Sequence, residues 1–208
     1  RRIDLLLLSH PHADHFFGMF AVLEQYEVKA FATEDLVNKT QSYQALLDVL
    51  DEKQIPQRHI LAGDRWRIGN VSLAVVGPTE QYLHQTSPGG TIGESKEFAS
   101  LVLQLTYGKF SVLFTGDSQA VGLEDALPQM TTAITVLQVP HHGSATGLDK
   151  DVLEQINPHL AVISVGAENR YNHPHPSILG LLKDENIPIR RTDLVGDVEV
   201  VSDGEVIK

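Results

Sequence analysis

The sequence predicts an α/β fold in which short apolar strands carry histidine- and aspartate-rich loops at their carboxyl ends. Three observations predict it. The run Ile3 to Leu8 lacks alternation and leads straight into Ser9-His10-Pro11-His12-Ala13-Asp14-His15, as expected of a central strand buried on both faces. Apolar residues at helical spacing recur between the strand-like runs. Four such runs end in polar clusters, namely His10/His12/Asp14/His15, Asp117, His141/His142 and His173/His175, which together hold seven of the ten histidines. In strand-rich α/β folds, loops beyond the strand carboxyl ends converge on one site.

Taken in order, Phe16, Phe20 and Leu23 form one face of a helix reaching about Tyr26. Gly18 inside it is expected to let backbone approach the preceding loop. Val28 to Ala32 reads as a short strand, and Tyr43, Leu46, Leu47 and Leu50 as a second helix ending before Pro56. Trp66 to Ile68, a Gly69-Asn70 turn and Val71 to Val76 read as a hairpin. The stretch from Gln81 to Glu97, with Pro88-Gly89-Gly90 and Gly93, reads as a loop over the site in which His84 is solvated. Two strands follow, Ser100 to Tyr107 and Phe110 to Phe114, then a short helix from Leu123 to Met130 broken at Pro128. Ile134 to Val139 is a buried strand, Val152, Leu153 and Ile156 mark a helix, and Leu160 to Val165 is a further strand. Pro176 starts the helix carrying Ile178, Leu179 and Leu182. The tail from Ile187 to Ile207 reads as two or three strands with an Asp203-Gly204 turn.

Composition narrows what the chain does. At 208 residues it is of single-domain size and can bury a substantial core, so one domain over 1–208 is expected. No apolar run approaches the ~20 residues of a membrane helix, and no membrane contact by this chain itself is expected. Without cysteine, disulfides and thiolate metal sites are excluded, while the compartment stays open. A net charge of −11 argues against tight non-specific binding of polyanions. The chain begins Arg1-Arg2, and its first strand already carries the motif. A preceding segment is therefore expected, and its absence would leave a sheet edge prone to association.

One histidine at a strand end is ordinarily a cap. Three histidines and a carboxylate within six positions would be costly to leave without a partner at the mouth of a buried strand. Imidazole and carboxylate at this spacing suit a divalent transition ion, zinc or manganese, and the alternating positions suit two ions.

The ordered set of His10 to His15, Thr115-Gly116-Asp117, Val139-Pro140-His141-His142-Gly143-Ser144, Ile163 to Gly166, Asn169-Arg170-Tyr171-Asn172-His173-Pro174-His175-Pro176 and Arg191-Thr192-Asp193 resembles the soluble metallo-β-lactamase-like domain of the ComEC competence proteins, which take up DNA. The resemblance implies an αβ/βα sandwich of two mixed β-sheets flanked by helices, here without the family's first β-hairpin. It also implies a dinuclear metal site and phosphodiester hydrolysis with DNA as substrate. It places His10 and His12 on one metal, Asp14 and His15 on the other, and Asp117 between them. His141 is the further ligand, with the reverse assignment to His142 open. Asp14, His142 and His173 are the implied catalytic groups. Ser144, Arg170 and His175, with Lys150, are candidates for phosphate contact. Many superfamily members carry another first-metal histidine where this chain reads Ser95-Lys96-Glu97-Phe98-Ala99-Ser100, so an under-occupied first site is expected. Phe16-Phe17-Gly18 stands where Ile-Gly-Gly is more usual, a change expected to affect packing alone. Two alternatives stay open: a hydrolase of a small ester, lactone or phosphocholine-type substrate, and a non-catalytic metal-stabilised domain of a DNA-entry protein. Oligomeric state is undetermined, as is the choice between an extracytoplasmic domain of a membrane-bound parent and the cytoplasm.

Overall fold

The amino-terminal apolar run pairs with the next strands along the chain in a computed structural model that describes residues 1–93 and 99–206. Strand β1 (Arg2–Ile3) pairs in parallel with β3 (Glu27–Val28). Strand β2 (Leu6–Leu7) pairs with β4 (Phe31–Thr33), which pairs with β5 (Gln57–His59) in a three-stranded parallel sheet of order β2-β4-β5. The expected central strand is thus two short strands, and β2 lies at an edge. The chain breaks at exposed Asp4, whose carboxylate pairs with Arg2 at 2.9 Å. The lack of alternation still reflects two packed faces: Leu6 packs on the helical side with Phe16 and Phe31, whereas Leu5 and Leu7 pack on the opposite side with Ala32, Val75 and Leu103. Both faces are apolar although one edge is not paired in the sheet.

Helices α1 (Ala13–Gln25) and α2 (Gln41–Glu52) cover the outer face, burying Phe16, Met19, Leu23, Tyr43, Leu46 and Leu50. Thr40 caps α2 by accepting from Tyr43 N. Gly18 is exposed, and a Cβ added there would meet nothing within 4 Å, so its expected role in close backbone approach is not realised. Phe16 is buried against Tyr43, but its neighbour Phe17 is exposed.

The second sheet has seven strands in the order β12-β11-β10-β9-β8-β7-β6. Strands β6 (Arg65–Ile68), β7 (Val71–Gly77), β8 (Val102–Tyr107) and β9 (Phe110–Phe114) form an antiparallel meander. Strands β10 (Val136–Gln138), β11 (Leu160–Ile163) and β12 (Ile189–Arg191) continue it in parallel with β9. Period-2 alternation along β7 separates two cores. Leu73 and Val75 face the smaller sheet, while Ala74 and Val76 face the helices α4 (Ala120–Ala126), α5 (Lys150–Ile156) and α6 (Pro176–Asp184) through Leu123, Val152, Leu153, Ile178 and Leu182. The layers are helix, sheet, sheet, helix: an αβ/βα sandwich.

Two stretches differ from expectation. Glu80–Thr86 forms a helix, α3, capped by Thr79, and His84 within it is exposed beside Glu80. A short run between turn residues carries too little periodicity to announce about two helical turns. The tail forms β12 and a brief helix α7 (Thr192–Val195), and residues 197–201 add no further strand to the sheet. Among the described residues, no helix is long and apolar enough to cross a membrane.

Beyond β4, Glu34 is fully buried; its Oε2 accepts from Thr33 Oγ1 at 2.7 Å while Oε1 has no hydrogen-bond partner. Burial pushes this carboxyl well above its ordinary value of 4.5. The folded pKa exceeds the unfolded one, so its contribution is fully present below about pH 4.5 and is lost as pH rises beyond it. Glu34→Gln, which stays neutral, is therefore expected to match the parent near pH 4.5 and to become the more stable protein as pH rises towards about 8. Thermal melts at both pH values check this, and a Tm difference that does not change with pH contradicts it.

Candidate metal centre

Strand β2 ends at buried Leu8, and the following turn is short because α1 begins at Ala13. His12 is the N-cap with extended backbone (φ −89°, ψ 149°), which places His10 and His12 before the helix and Asp14 and His15 in its first turn. A carboxylate there is favoured by the helix macrodipole. Asn38 Nδ2 pins the turn by donating to Pro11 O at 2.7 Å. Ser9 Oγ lies 3.2 Å from both His10 Nδ1 and His15 Nδ1, and Ser100 Oγ lies 3.4 Å from His10 Nδ1 and accepts from Asp117 N at 3.2 Å. Partners of this kind fix imidazole orientation at metal sites. Sequence reasoning missed both serines, although Ser9 directly precedes the motif.

Asp117 arrives from β9 through Thr115 and Gly116. Gly116 has φ +52°, and a Cβ there would fall 2.9 Å from Ser9 Cβ, so only glycine lets the two loops close. The loop after β10 is held to it by His141 N donating to Gly116 O at 3.0 Å. His141 (φ 49°, ψ 46°) and His142 (φ 54°, ψ 20°) are consecutive non-glycine residues in left-handed conformation. Such backbone persists only where its surroundings over-determine it, and it clusters at functional sites. Here it turns the two imidazoles to different oxygens of one carboxylate. His10 Nε2 and His141 Nε2 each lie 3.7 Å from Asp117 Oδ2, whereas His15 Nε2 and His142 Nε2 lie 3.2 and 3.5 Å from Oδ1.

Two groups can therefore hold cations: His10, His12 and Asp117; and Asp14, His15, Asp117 and His142, the ligand atoms of each lying within 4.8 Å of one another. His10 Nε2 is 3.0 Å from His12 Nδ1, and Asp14 Oδ2 is 3.4 Å from His142 Nε2. The residues fit a divalent ion on the structure's own terms. His15 Nε2, His142 Nε2 and Asp117 Oδ1 are buried and face one another, yet none has a hydrogen-bond partner, an arrangement that is costly unless a cation is shared among them. His142 Nδ1 donates to Ser164 O at 2.8 Å, which aims Nε2 inwards. The compact four-residue group thus contains His142 and not His141, the reverse of the ordering first chosen from sequence. Of the stretch that replaces the usual histidine, Ser95 to Phe98 lie outside the described residues.

Charge follows from this packing. Burial holds His10 well below the ordinary imidazole value and lowers His12. Burial alone would raise Asp117, but His15, His10 and His142 outweigh it and hold the carboxyl at about 2. The adjacent His142 imidazole keeps Asp14 far below the ordinary carboxylate range, and Asp14 in turn lifts His142 to about 9.

His173 is brought to the same place, its ring 5.8 Å from that of His141. Burial, then His141, lowers its pKa. The other expected contacts fare differently. His175 is the N-cap of α6, with Nδ1 accepting from Ser177 N, and Ser144 Oγ lies 3.4 Å from Thr146 Oγ1. Lys150 pairs with Glu154 at 3.3 Å, and Arg191 pairs with Asp193 at 2.5 Å. A pocket of about 280 Å³ is lined by Asp14, His142, Ser164, Asn169, Tyr171, His173 and Thr192, and Arg170 reaches it only through Tyr171, to whose Oη its Nη2 donates. A larger cavity of about 510 Å³ lies by Leu160, Arg190 and Val198, away from this chemistry.

A family model described as Beta-lactamase superfamily domain matches residues 1–153. The chain is 28% identical over 200 residues to ComE operon protein 3 of Bacillus subtilis (strain 168), covering 96% of this chain and 24% of that protein. It is 28% identical over 198 residues to Recombination protein 2 of Haemophilus influenzae, covering 95% and 22%. It thus spans about a quarter of the length of these curated relatives. Among solved structures, the metallo-beta-lactamase fold protein YhfI from Bacillus subtilis aligns with a TM-score of 0.54 at 11% identity, covering 91% of this chain and 74% of that one, a likeness of fold.

Two outcomes are expected of this geometry. Gly116→Ala should lower bound metal strongly, while Gly18→Ala should leave it unchanged; equal metal content in the two variants contradicts the role given to Gly116. A ligand imidazole must be neutral, so metal binding displaces the His142 proton. In the metal-free chain the stabilisation from His142 is fully present below 6.5 and lost as pH rises through about 9. Metal affinity should therefore climb over that window, with roughly one proton released per chain near pH 7. Calorimetry in buffers of different ionisation enthalpy measures it, and no proton release there contradicts the coupling.

Proposed function

The chain belongs to the Beta-lactamase superfamily domain family, and from that premise we propose that it is a metal-dependent phosphodiesterase acting on DNA in connection with DNA uptake. The observation that carries the reading is the split carboxylate of Asp117, one oxygen facing His10 and His141 and the other facing His15 and His142. Its relatives, among them a competence protein of Neisseria gonorrhoeae, support the substrate class.

Two divalent ions, zinc or manganese, held by His10, His12 and Asp117 and by Asp14, His15, Asp117 and His142, would supply Lewis acidity and an acidified water. The chain's own residues do the rest. Asp117 fixes the spacing of the two groups, while Ser9 and Ser100 hold the imidazoles in orientation. Asp14, ionised at neutral pH, accepts a hydrogen bond from the attacking water and orients it. His142 moves from the catalytic role first expected to the ligand set, and His141, with its Nε2 on the Oδ2 side, takes the place nearest the phosphate. His173, held neutral by burial, donates a hydrogen bond from its ring N–H to a phosphate oxygen or to the developing charge on the leaving oxygen, which takes its proton from water. Arg170 remains the basic contact. Residues 1–208 act as one domain, because the His173 loop and β12, both beyond residue 153, complete the site and its sheet.

A second reading, hydrolysis of a small phosphodiester of phosphocholine type, is favoured by the size of the pocket, about 280 Å³. Metal analysis together with hydrolysis of DNA and of small esters separates the readings. The parent protein is expected to bind metal and cleave DNA, and His10→Ala or His15→Ala to lose metal and more than about 100-fold in rate. Metal-loaded protein that cleaves small esters and leaves DNA intact overturns the DNA reading. A variant with full metal content and full rate overturns the ligand assignment.

A further inference from the structure

The pocket beside Asp14 and His142 has an aromatic wall that neither the ligand groups nor the proposed hydrolysis uses. Tyr171 is 62% exposed although it lines this pocket. Its ring lies nearly parallel to that of His173, 20° apart with centroids at 5.9 Å, and the Arg170 guanidinium stands 5.2 Å from it while Nη2 donates to Tyr171 Oη at 3.1 Å. The loop presenting the ring is fixed. Asn169 Oδ1 accepts from Tyr171 N and His173 N at 3.2 and 2.9 Å, and its Nδ2 donates to Gly166 O and His173 O at 2.9 and 2.7 Å. Large aromatics are costly to leave in water and to hold rigid unless they meet something flat and apolar.

Charge decides what that is. With Lys150 and Arg191 paired to acids and a net charge of −11, long-range attraction of a phosphate backbone is weak. Ring stacking is the sequence-tolerant alternative by which proteins hold nucleic acid. Stacking needs an open base face, which a duplex keeps inside its own stack. We propose that the exposed Tyr171 ring, together with the Arg170 guanidinium that lies over it, is a stacking platform for a nucleobase next to the scissile phosphate, and that the site takes single-stranded DNA. This rests on the reading of the centre as a DNA phosphodiesterase.

The test uses a short single-stranded oligonucleotide carrying the fluorescent base 2-aminopurine, titrated with the metal-loaded chain, alongside the same strand in a duplex. Quenching is expected with the parent protein and with Tyr171→Phe. Tyr171→Leu is expected to keep its metal, lose the quenching and bind about tenfold more weakly, and the duplex to bind more weakly than the single strand. If Tyr171→Leu binds and quenches like the parent, or the duplex binds equally well, the platform is overturned. Should the parent hydrolyse DNA while that variant is unaltered, stacking alone falls. Should the parent bind and quench without hydrolysing any phosphodiester, the hydrolase reading falls, and with it the place beside a scissile phosphate, while stacking on Tyr171 itself stands. No binding of either DNA overturns both.

Discussion

One carboxylate organises the site. Asp117 is nearly buried, at 3% exposure, and four imidazoles lie within 3.7 Å of its two oxygens. A buried anion is expensive by itself, and a cluster of imidazoles around it is stable only when charges balance and donors meet acceptors. Each loop that reaches Asp117 is therefore fixed in position as well as in identity. Loss of one partner would leave the others desolvated and unmatched, so the centre should respond to substitution as a unit.

The sandwich delivers those loops to one edge. The last strands of the larger sheet, β9 to β12, are parallel, so their carboxyl ends lie together, and β2 of the smaller sheet brings its own end alongside through Leu101 N donating to Ser9 O at 2.8 Å. Further backbone hydrogen bonds tie loop to loop: His141 N to Gly116 O, and His175 N to Gly143 O at 2.8 Å. The loops are thus joined to one another as well as to their strands. That bracing can hold His141 and His142 in consecutive left-handed conformations, which isolated loops would relax. The two cores on either side of the larger sheet make this edge rigid, as precise placement of ligands requires.

The electrostatics separate centre from surface. Acidic residues outnumber basic ones by 27 to 16; Lys150, a candidate for phosphate contact, is paired with Glu154, as Arg191 is with Asp193. Long-range attraction of a polyanion is therefore weak, and affinity must come from short-range contacts at the centre. Arg170 and the aromatic wall beside Asp14 are the contacts available there.

What the sequence determined by itself was the chemistry and its general location. The clusters at His10 to His15, Asp117, His141/His142 and His173 were legible because metal-binding side chains concentrate at strand ends, and that pattern is local. Both helices of the smaller half and the Gly69-Asn70 hairpin followed from periodicity and turn chemistry for the same reason. Only the tertiary structure decided questions that depend on partners distant in sequence. Apolar residues on both faces of Ile3 to Leu8 announce two packed faces, but not whether the strand has one hydrogen-bonded neighbour or two, so β2 could sit at an edge unseen. The order of His141 and His142 around Asp117 depended on backbone angles with no sequence signature. Ser9, Ser100 and Asn169 orient the site through hydrogen bonds across loops, and small polar residues carry no mark of the group they will meet. That His175 caps a helix was likewise decided by its surroundings: Pro176 starts the helix immediately after it, and the imidazole Nδ1 accepts from a backbone amide.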